Sequence, residues 1–457
     1  MDGRRLVIAG GGNAGLCAAI AAIESGSEVT VVESASRFYR GGNSKYTRDI
    51  RYAHAKSKYA SGVYSKEELL SDLESVSGGR VNREMAKLVI AHSEEIPAWM
   101  EAHGIIFKNE IRGTLNLSRT NAFFLGGGKA LVNTYYDYLS RKGARILYET
   151  RAVGISLKDG EFAALKAIRN GRRTLIKGDA LVVASGGFEA NLAWLRKYWG
   201  SKTKNFIIRG SKENTGTMLR ELIRLGAATA GEETGMHAIA VDSRSPQFDG
   251  GIVTRIDSIP IGVVVNKKAK RFYDEGEDIW PKRYAIWGHL IARQPGQIAY
   301  SIFDSTMTGG FLPPIYPPYS ADTIEGLASK LGLDADALNL TIEAYNRASI
   351  PYAGKPKSDF DLHTNRILPA KSHWALPISK SPFYAIPLKP GITFTYMGVK
   401  IDRECHVLKA NGKRFESIFA AGEIASGNIL ESGYLAGFGL TIGTATGRIA
   451  GKVSSNG

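Results

Sequence analysis

At 457 residues, with 44% hydrophobic and 23% charged side chains, the chain exceeds one ordinary core and has the composition of a globular protein rather than a disordered or fibrous one. Its formal net charge of +15 points to an anionic small ligand, because no Lys/Arg run is long enough to make a nucleic-acid-binding tail. The two cysteines, Cys17 and Cys405, lie far apart in apolar patterns and read as core residues in a reducing compartment, which argues against a disulfide or a metal set.

The chain is organised around its beginning. Leu6 to Ala9 form a short apolar run of the kind a buried parallel strand needs, followed by Gly10-x-Gly12-x-x-Gly15 and the helix formers Leu16 to Glu24. Gly10 permits a tight turn, Gly12 lets the backbone approach a pyrophosphate, and Gly15 lets helix and strand pack closely. Asn13 and Ala14, within the glycine turn, join the cofactor contacts, and the free N–H groups and positive dipole end of the helix that follows suit phosphate. A second strand, Glu28 to Val32, delivers Glu33 at about the twenty-residue offset expected of a ribose ligand. Arg4 and Arg5 before an apolar stretch resemble a signal peptide, but Gly10 to Asn13 interrupt it, and no run of about eighteen apolar residues occurs elsewhere. A cytoplasmic protein without membrane spans is expected.

Next come Gly41-Gly42-Asn43-Ser44 and the polar stretch to Arg51, able to bend around a flat ligand. Residues 65 to 103 have helical spacing, with a Ser65-x-x-Glu68 capping signal. Gly126-Gly127-Gly128 enter a helix over 130 to 142, and a strand follows over 144 to 149. Residues 151 to 183 read as hairpin strands, turning at Asp159-Gly160 and Asn170-Gly171. They end in Ala184-Ser185-Gly186-Gly187, a second paired-glycine turn. Between 236 and 374 the texture changes to alternating strands and helices, broken by the proline-rich loop 311 to 318. The expected architecture is α/β: a discontinuous Rossmann-like dinucleotide-binding domain over 1–235 and 375–457, with an inserted α+β capping domain over 236–374. Near the end a strand delivers Glu423, and a glycine-rich loop leads to a helix at Gly439, Leu440 and Thr441.

Taken together, Gly10 to Gly15 with Glu33, Gly41 to Ser44, Ala184 to Gly187, Arg271-Phe272-Tyr273-Asp274-Glu275 and Ala420-Ala421-Gly422-Glu423 resemble the fumarate reductase and succinate dehydrogenase flavoprotein superfamily, which includes ketosteroid dehydrogenases. Within it, the stretches 41 to 51, 117 to 130 and 433 to 439 are most similar to the tricarballylate dehydrogenases. The resemblance implies FAD, a mobile cap over the flavin, oxidation of a tricarboxylate to an aconitate, and a separate membrane partner that takes the electrons. Val153 joins the implied FAD contacts. Fumarate reductases carry an arginine where Tyr434 stands, a histidine before the turn that here reads Phe394-Thr395-Tyr396-Met397-Gly398, and a proton-delivering arginine where Ile279 and Trp280 fall. A fumarate reductase is therefore not expected, and an enoate reductase of that kind stands as a further alternative. Tyr434 is shared in kind with ketosteroid dehydrogenases, so a cyclic ketone or keto acid is the second substrate class. The flavin-linking histidine of succinate dehydrogenases is missing from 41 to 47, which implies non-covalent FAD.

Desaturating a carboxylate-activated C–C bond needs a base for the α-proton, a flavin for the β-hydride and cations for the carboxylates. Arg48, Arg51, Arg119 and Arg209, with Tyr396, are the candidate substrate contacts, since guanidinium binds carboxylate bidentately. Arg283, Tyr284, Tyr434 and His237 are the candidate catalytic groups, with Tyr396 and His289 also considered as the base. No zinc or iron–sulfur spacing is present.

Overall fold

Leu6, Val7, Ile8 and Ala9 are at most 1% exposed, because Arg5–Ala9 is the inner strand of a parallel sheet. The computed structural model describes residues 3–108, 117–248, 255–311, 313–350 and 358–456. The sheet has six strands in the order 406–408, 414–420, 180–183, 5–9, 28–32, 145–147, all parallel except the first, an antiparallel edge. Strands from both ends of the sequence thus meet in one layer. Glycine turns leave the carboxyl ends of its central strands, the usual position of a ligand crevice in such sheets. Cys17 and Cys405 are both buried and free.

Helix Asn13–Glu24 packs on helix Phe438–Asn456, which supplies Gly443, Gly447 and Gly451 along one side. A Cβ at Gly447 would press on the Ala14 carbonyl, and one at Gly451 on that of Ala18. Spacing of four residues puts the three glycines on one face, so the two backbones approach without side chains between them.

Beside the parallel sheet stands a three-stranded antiparallel sheet of Thr150–Lys158, Glu161–Arg169 and Arg172–Lys177. Its turns fall at the expected sites, where Asp159, Gly160, Asn170 and Gly171 all have positive φ. The helical region holds Lys66–Val76, Arg83–Ser93 and Ile96–Ala102, and the Ser65 hydroxyl accepts the Glu68 N–H at 3.1 Å.

A second, mostly antiparallel sheet forms the other half of the molecule. Its long strand Phe383–Thr395 pairs with 207–208, 236–242, 299–304 and 319–321, and 263–266 completes the sheet beside 299–304. Strand 383–395 lies after residue 375, where the sequence suggests a return to the first domain, and 207–208 lies before 236. Both nonetheless belong to the second sheet. The physical reason is burial: Ala385, Ile386, Leu388 and Ile392 are fully enclosed and need partners on both sides. Of the proline-rich loop, Leu312 lies outside the described residues. No described helix is long and apolar enough to cross a membrane.

Candidate functional site

One cleft runs between the two six-stranded sheets, lined by the glycine turns that follow strands 5–9, 180–183 and 414–420 and by the stretch from Gly42 to Asp49. At one end lie Gly10, Gly11, Gly12, Asn13, Ala14 and Glu33, followed by Gly42, Asn43 and Ser44, then Thr150 to Ala152, and Ser185 with Gly186. The local reasons are steric. Gly10 has φ +115°, and any Cβ there would strike the Ala184 carbonyl. A Cβ on Gly15 would strike the Gly10 carbonyl. Above Gly12 there is room, its hypothetical Cβ meeting nothing nearer than Ser44 Oγ at 3.5 Å. Gly41 takes the left-handed conformation with φ +100° against Val132.

This end fits a dinucleotide. The Gly11 and Gly12 amides meet no backbone acceptor among the described residues, and the helix after them has no acidic residue in its first turn. Free amides at a helix start are the donors a pyrophosphate takes. Glu33 is buried and accepts the Ala35 amide at 2.8 Å, the Gly41 amide at 3.4 Å and the Tyr136 hydroxyl at 3.3 Å. Burial raises its pKa above the ordinary carboxylate value, and those bonds pull it back. A second helix start, at Gly439 and Leu440, faces the same cleft.

Other expected cofactor residues stand one layer back. Gly15, Gly41, Gly187, Val153 and Thr441 do not line the cleft. Gly187 packs under Thr395 and Glu423, and Thr441 donates its hydroxyl to the Arg51 carbonyl. Thr150, Arg151 and Ala152 reach the cleft where Val153 was expected. Glu423 lines it and accepts the Thr395 amide at 2.9 Å.

At the other end the lining changes to Arg48, Arg209, Arg255, His237, Tyr284 and Tyr434. Arg48 leaves the short strand Asp49–Arg51 and contacts Asp49 at 3.3 Å. Arg209 follows strand 207–208 and donates to the Thr393 hydroxyl at 3.1 Å. Arg255 is held by Asp257 through bonds of 2.8 and 2.9 Å, and Asp257 is fixed by the Trp280 indole N–H at 2.7 Å. The Arg255 guanidinium lies over the Tyr284 ring, 5.1 Å from its centroid.

The His237 ring stacks on Tyr434 at 4.1 Å and 7°, and meets Tyr284 edge-on at 5.3 Å. Its Nε2 has no hydrogen-bond partner among the described residues. Burial, then Arg209 and Arg255, hold the imidazole pKa well below its ordinary value, so the ring is neutral. Tyr434 accepts the Gly439 amide at 2.8 Å, which leaves its own proton available. Burial raises both phenols, Tyr434 strongly and Tyr284 to about 12, with Arg255 and Arg209 opposing the Tyr284 shift.

Four expected residues lie elsewhere. Arg283 is drawn off the cleft by Glu277 at 3.1 Å. Arg51 is buried in a structural network, donating to the Ala436 carbonyl at 3.0 Å and the Tyr64 hydroxyl at 2.9 Å. Arg119 pairs with Glu68 near the surface and also donates to the Val63 carbonyl at 2.7 Å. Tyr396 is fully buried, its hydroxyl bonded to the Gly433 carbonyl at 2.5 Å. His289 also serves structure, bonding the Met236 carbonyl at 3.0 Å. Sequence reasoning missed Arg255, which takes the place expected of Arg283. It also missed Glu189, a buried carboxyl behind Asn43 and Asn214.

Comparison with known proteins identifies the family of the chain. Residues 5–440 match the family model described as FAD binding domain. The chain is 27% identical over 443 residues to the NADH:fumarate oxidoreductase of Klebsiella pneumoniae (strain 342), covering 92% of this chain and 44% of that protein. It is 30% identical over 335 residues to the NADH:acrylate oxidoreductase of Vibrio harveyi, covering 70% of this chain and 32% of that protein. The chain therefore spans less than half the length of these relatives. In fold it is similar to the 3-ketosteroid delta1-dehydrogenase of Sterolibacterium denitrificans, with a TM-score of 0.78, 16% identity and full coverage of both chains. The chain belongs to the family of flavoproteins built on this FAD-binding domain, and its cofactor is FAD.

Proposed function

We propose that the chain is an FAD-dependent dehydrogenase that desaturates a C–C bond next to a carbonyl in a carboxylate substrate. The observation that carries this reading is the meeting of Arg48, Arg209 and Arg255 with Tyr284, Tyr434 and His237 at one end of the dinucleotide cleft. The amides of Gly11 and Gly12 would hold the pyrophosphate of a non-covalent FAD, and Glu33 would accept from its ribose hydroxyls. When bound, FAD supplies the hydride acceptor.

The protein's own groups do the rest. Arg255, preset by Asp257, and Arg48 and Arg209 bind carboxylate oxygens and orient the chain of carbons. Tyr434, with its oxygen already accepting from Gly439, donates its proton toward the carbonyl oxygen that gains charge as the α-proton leaves. Tyr284 takes that α-proton, and the guanidinium over its ring favours the phenolate. Neutral His237 backs Tyr434 as a flat, uncharged plate.

Tricarballylate is the first substrate to test, because several guanidinium groups converge where one would hold a single carboxylate. The second reading is a cyclic ketone or keto acid, favoured by the Tyr434 hydroxyl, which suits a ketone oxygen as well as a carboxylate. A separate electron-transfer protein at a membrane is the proposed acceptor. Anaerobic addition of each compound to the yellow protein tests the reading. Bleaching by tricarballylate or another carboxylate supports it, and bleaching by neutral cyclic ketones alone overturns the carboxylate assignment.

A further inference from the structure

Glu189, fully buried, and Glu423, half-buried in the cleft wall, face each other. They come from different turns, one after strand Ala180–Val183 and one after strand Arg414–Ala420. Glu189 Oε1 accepts Asn43 Nδ2 at 2.8 Å and Asn214 Nδ2 at 2.6 Å. Glu423 Oε1 accepts the Thr395 amide at 2.9 Å and the Thr395 hydroxyl at 3.4 Å. Glu189 Oε2 has no N–H or hydroxyl donor among the described residues. A Cβ built on Gly187 would touch Glu423 Oε1 and lie 2.9 Å from that same Glu189 Oε2, so both carboxyls crowd one point.

Two carboxyls placed this way bond to each other only if one keeps its proton. No Lys, Arg or His among the described residues bonds to either. The charged and titratable groups nearby act at one remove. Arg209 reaches the Thr393 hydroxyl, Tyr434 lies across the cleft from Glu423, and Glu213 sits beside Asn214 in the same loop. Burial, with mutual repulsion adding for Glu423, raises both carboxyls above their ordinary range.

We propose that Glu189 and Glu423 keep one proton between them at neutral pH, and that this shared proton fastens the loops that close around FAD. Glu189 is the positioning residue. Through it Asn43, Asn214 and Glu423 are joined, and each of those three lines the cleft. Asn43 extends the link by donating to the Thr393 carbonyl at 2.7 Å and accepting the Ser211 amide at 2.7 Å. Loss of the proton puts two like charges in contact without a donor between them, and the loops separate. The inference rests on FAD binding and is independent of which substrate the chamber takes.

The test uses the FAD-loaded protein, diluted at a series of pH values from 6 to 9, with released flavin read by its fluorescence. In the wild type the FAD dissociation constant should rise by up to about tenfold per pH unit once the pair ionises. Glu189→Gln is the informative variant. Its amide oxygen can still accept from Asn43 and Asn214, and its NH2 donates permanently to a Glu423 carboxylate. Its FAD dissociation constant should stay within about twofold across the same range. A wild-type constant that does not change with pH, or a Glu189→Gln protein that follows the wild-type curve, overturns the proposal. An infrared spectrum of the wild-type holoprotein at pH 7 decides independently of any variant. A protonated-carboxyl carbonyl band is expected, and its absence overturns the proposal.

Discussion

At the scale of single residues, the chamber separates cations that line the cleft from cations that hold the fold. Arg255 faces the cleft on a carboxylate clamp, whereas Arg283 is bound to Glu277 outside it. Arg255→Lys should therefore raise KM for the carboxylate by tenfold or more, about 1.4 kcal/mol, while Arg283→Lys changes it less than about twofold. Steady-state kinetics on both variants checks the contrast. Tyr284, with its phenol raised to about 12, is the proposed base, and its deprotonated form grows with pH. The logarithm of kcat/KM should climb with a slope approaching one between pH 6 and 9, and Tyr284→Phe should remove the slope along with about a hundredfold or more of the rate. Gly10, Gly12 and Glu33 are legible from sequence because their chemistry is local: a turn, a helix start, an acid at a fixed offset. Arg255 is not. Its position depends on Asp257 and on the Trp280 indole, a pairing that no periodicity announces. Glu189 is hidden for the opposite reason, since it stands inside a glycine turn whose conformation already accounts for the neighbouring residues.

At the scale of elements, two pieces of packing carry measurable weight. The first is the contact of helix 13–24 with helix 438–456, both of which start at the cleft. Gly447→Ala places a methyl against the Ala14 carbonyl and 3.1 Å from Cys17 Cβ. It should cost about 1–3 kcal/mol of stability, seen as a lower Tm, and weaken FAD binding in parallel. The second is Lys371, fully buried and bonded to the Gly262 carbonyl, with the Arg271–Glu275 pair beside it. Burial lowers its pKa to about 7 from an ordinary 10.5. Between those values the unfolded chain binds the extra proton, so stability should rise with pH from 7 to 10.5. Thermal unfolding at several pH values should show a smaller rise for Lys371→Met. The hairpins at 158–172 and the opening strand–helix unit are readable from spacing alone. The partnership of 207–208 and 383–395 is not, because strands far apart in sequence give no local sign of which sheet they will join.

At the scale of the whole molecule, the cleft lies between two six-stranded sheets, and strand Phe383–Thr395 belongs to one sheet while ending beside the cleft residues that the other positions. Its last residues are Thr393, bonded to Arg209 and Asn43, and Thr395, bonded to Glu423. No hinge of free chain separates the chamber from the cofactor loops at this point. Any tilt of the second sheet pulls on Asn43 and Glu423 along a single rigid rod of backbone. The coupling must run both ways. A slowly reacting substrate analogue that steadies the second sheet should lengthen the residence of FAD, and stopped-flow release in its presence measures the effect. The strand is thus a tether between prey and bait: whatever the chamber grips, the flavin is kept home by the same pull.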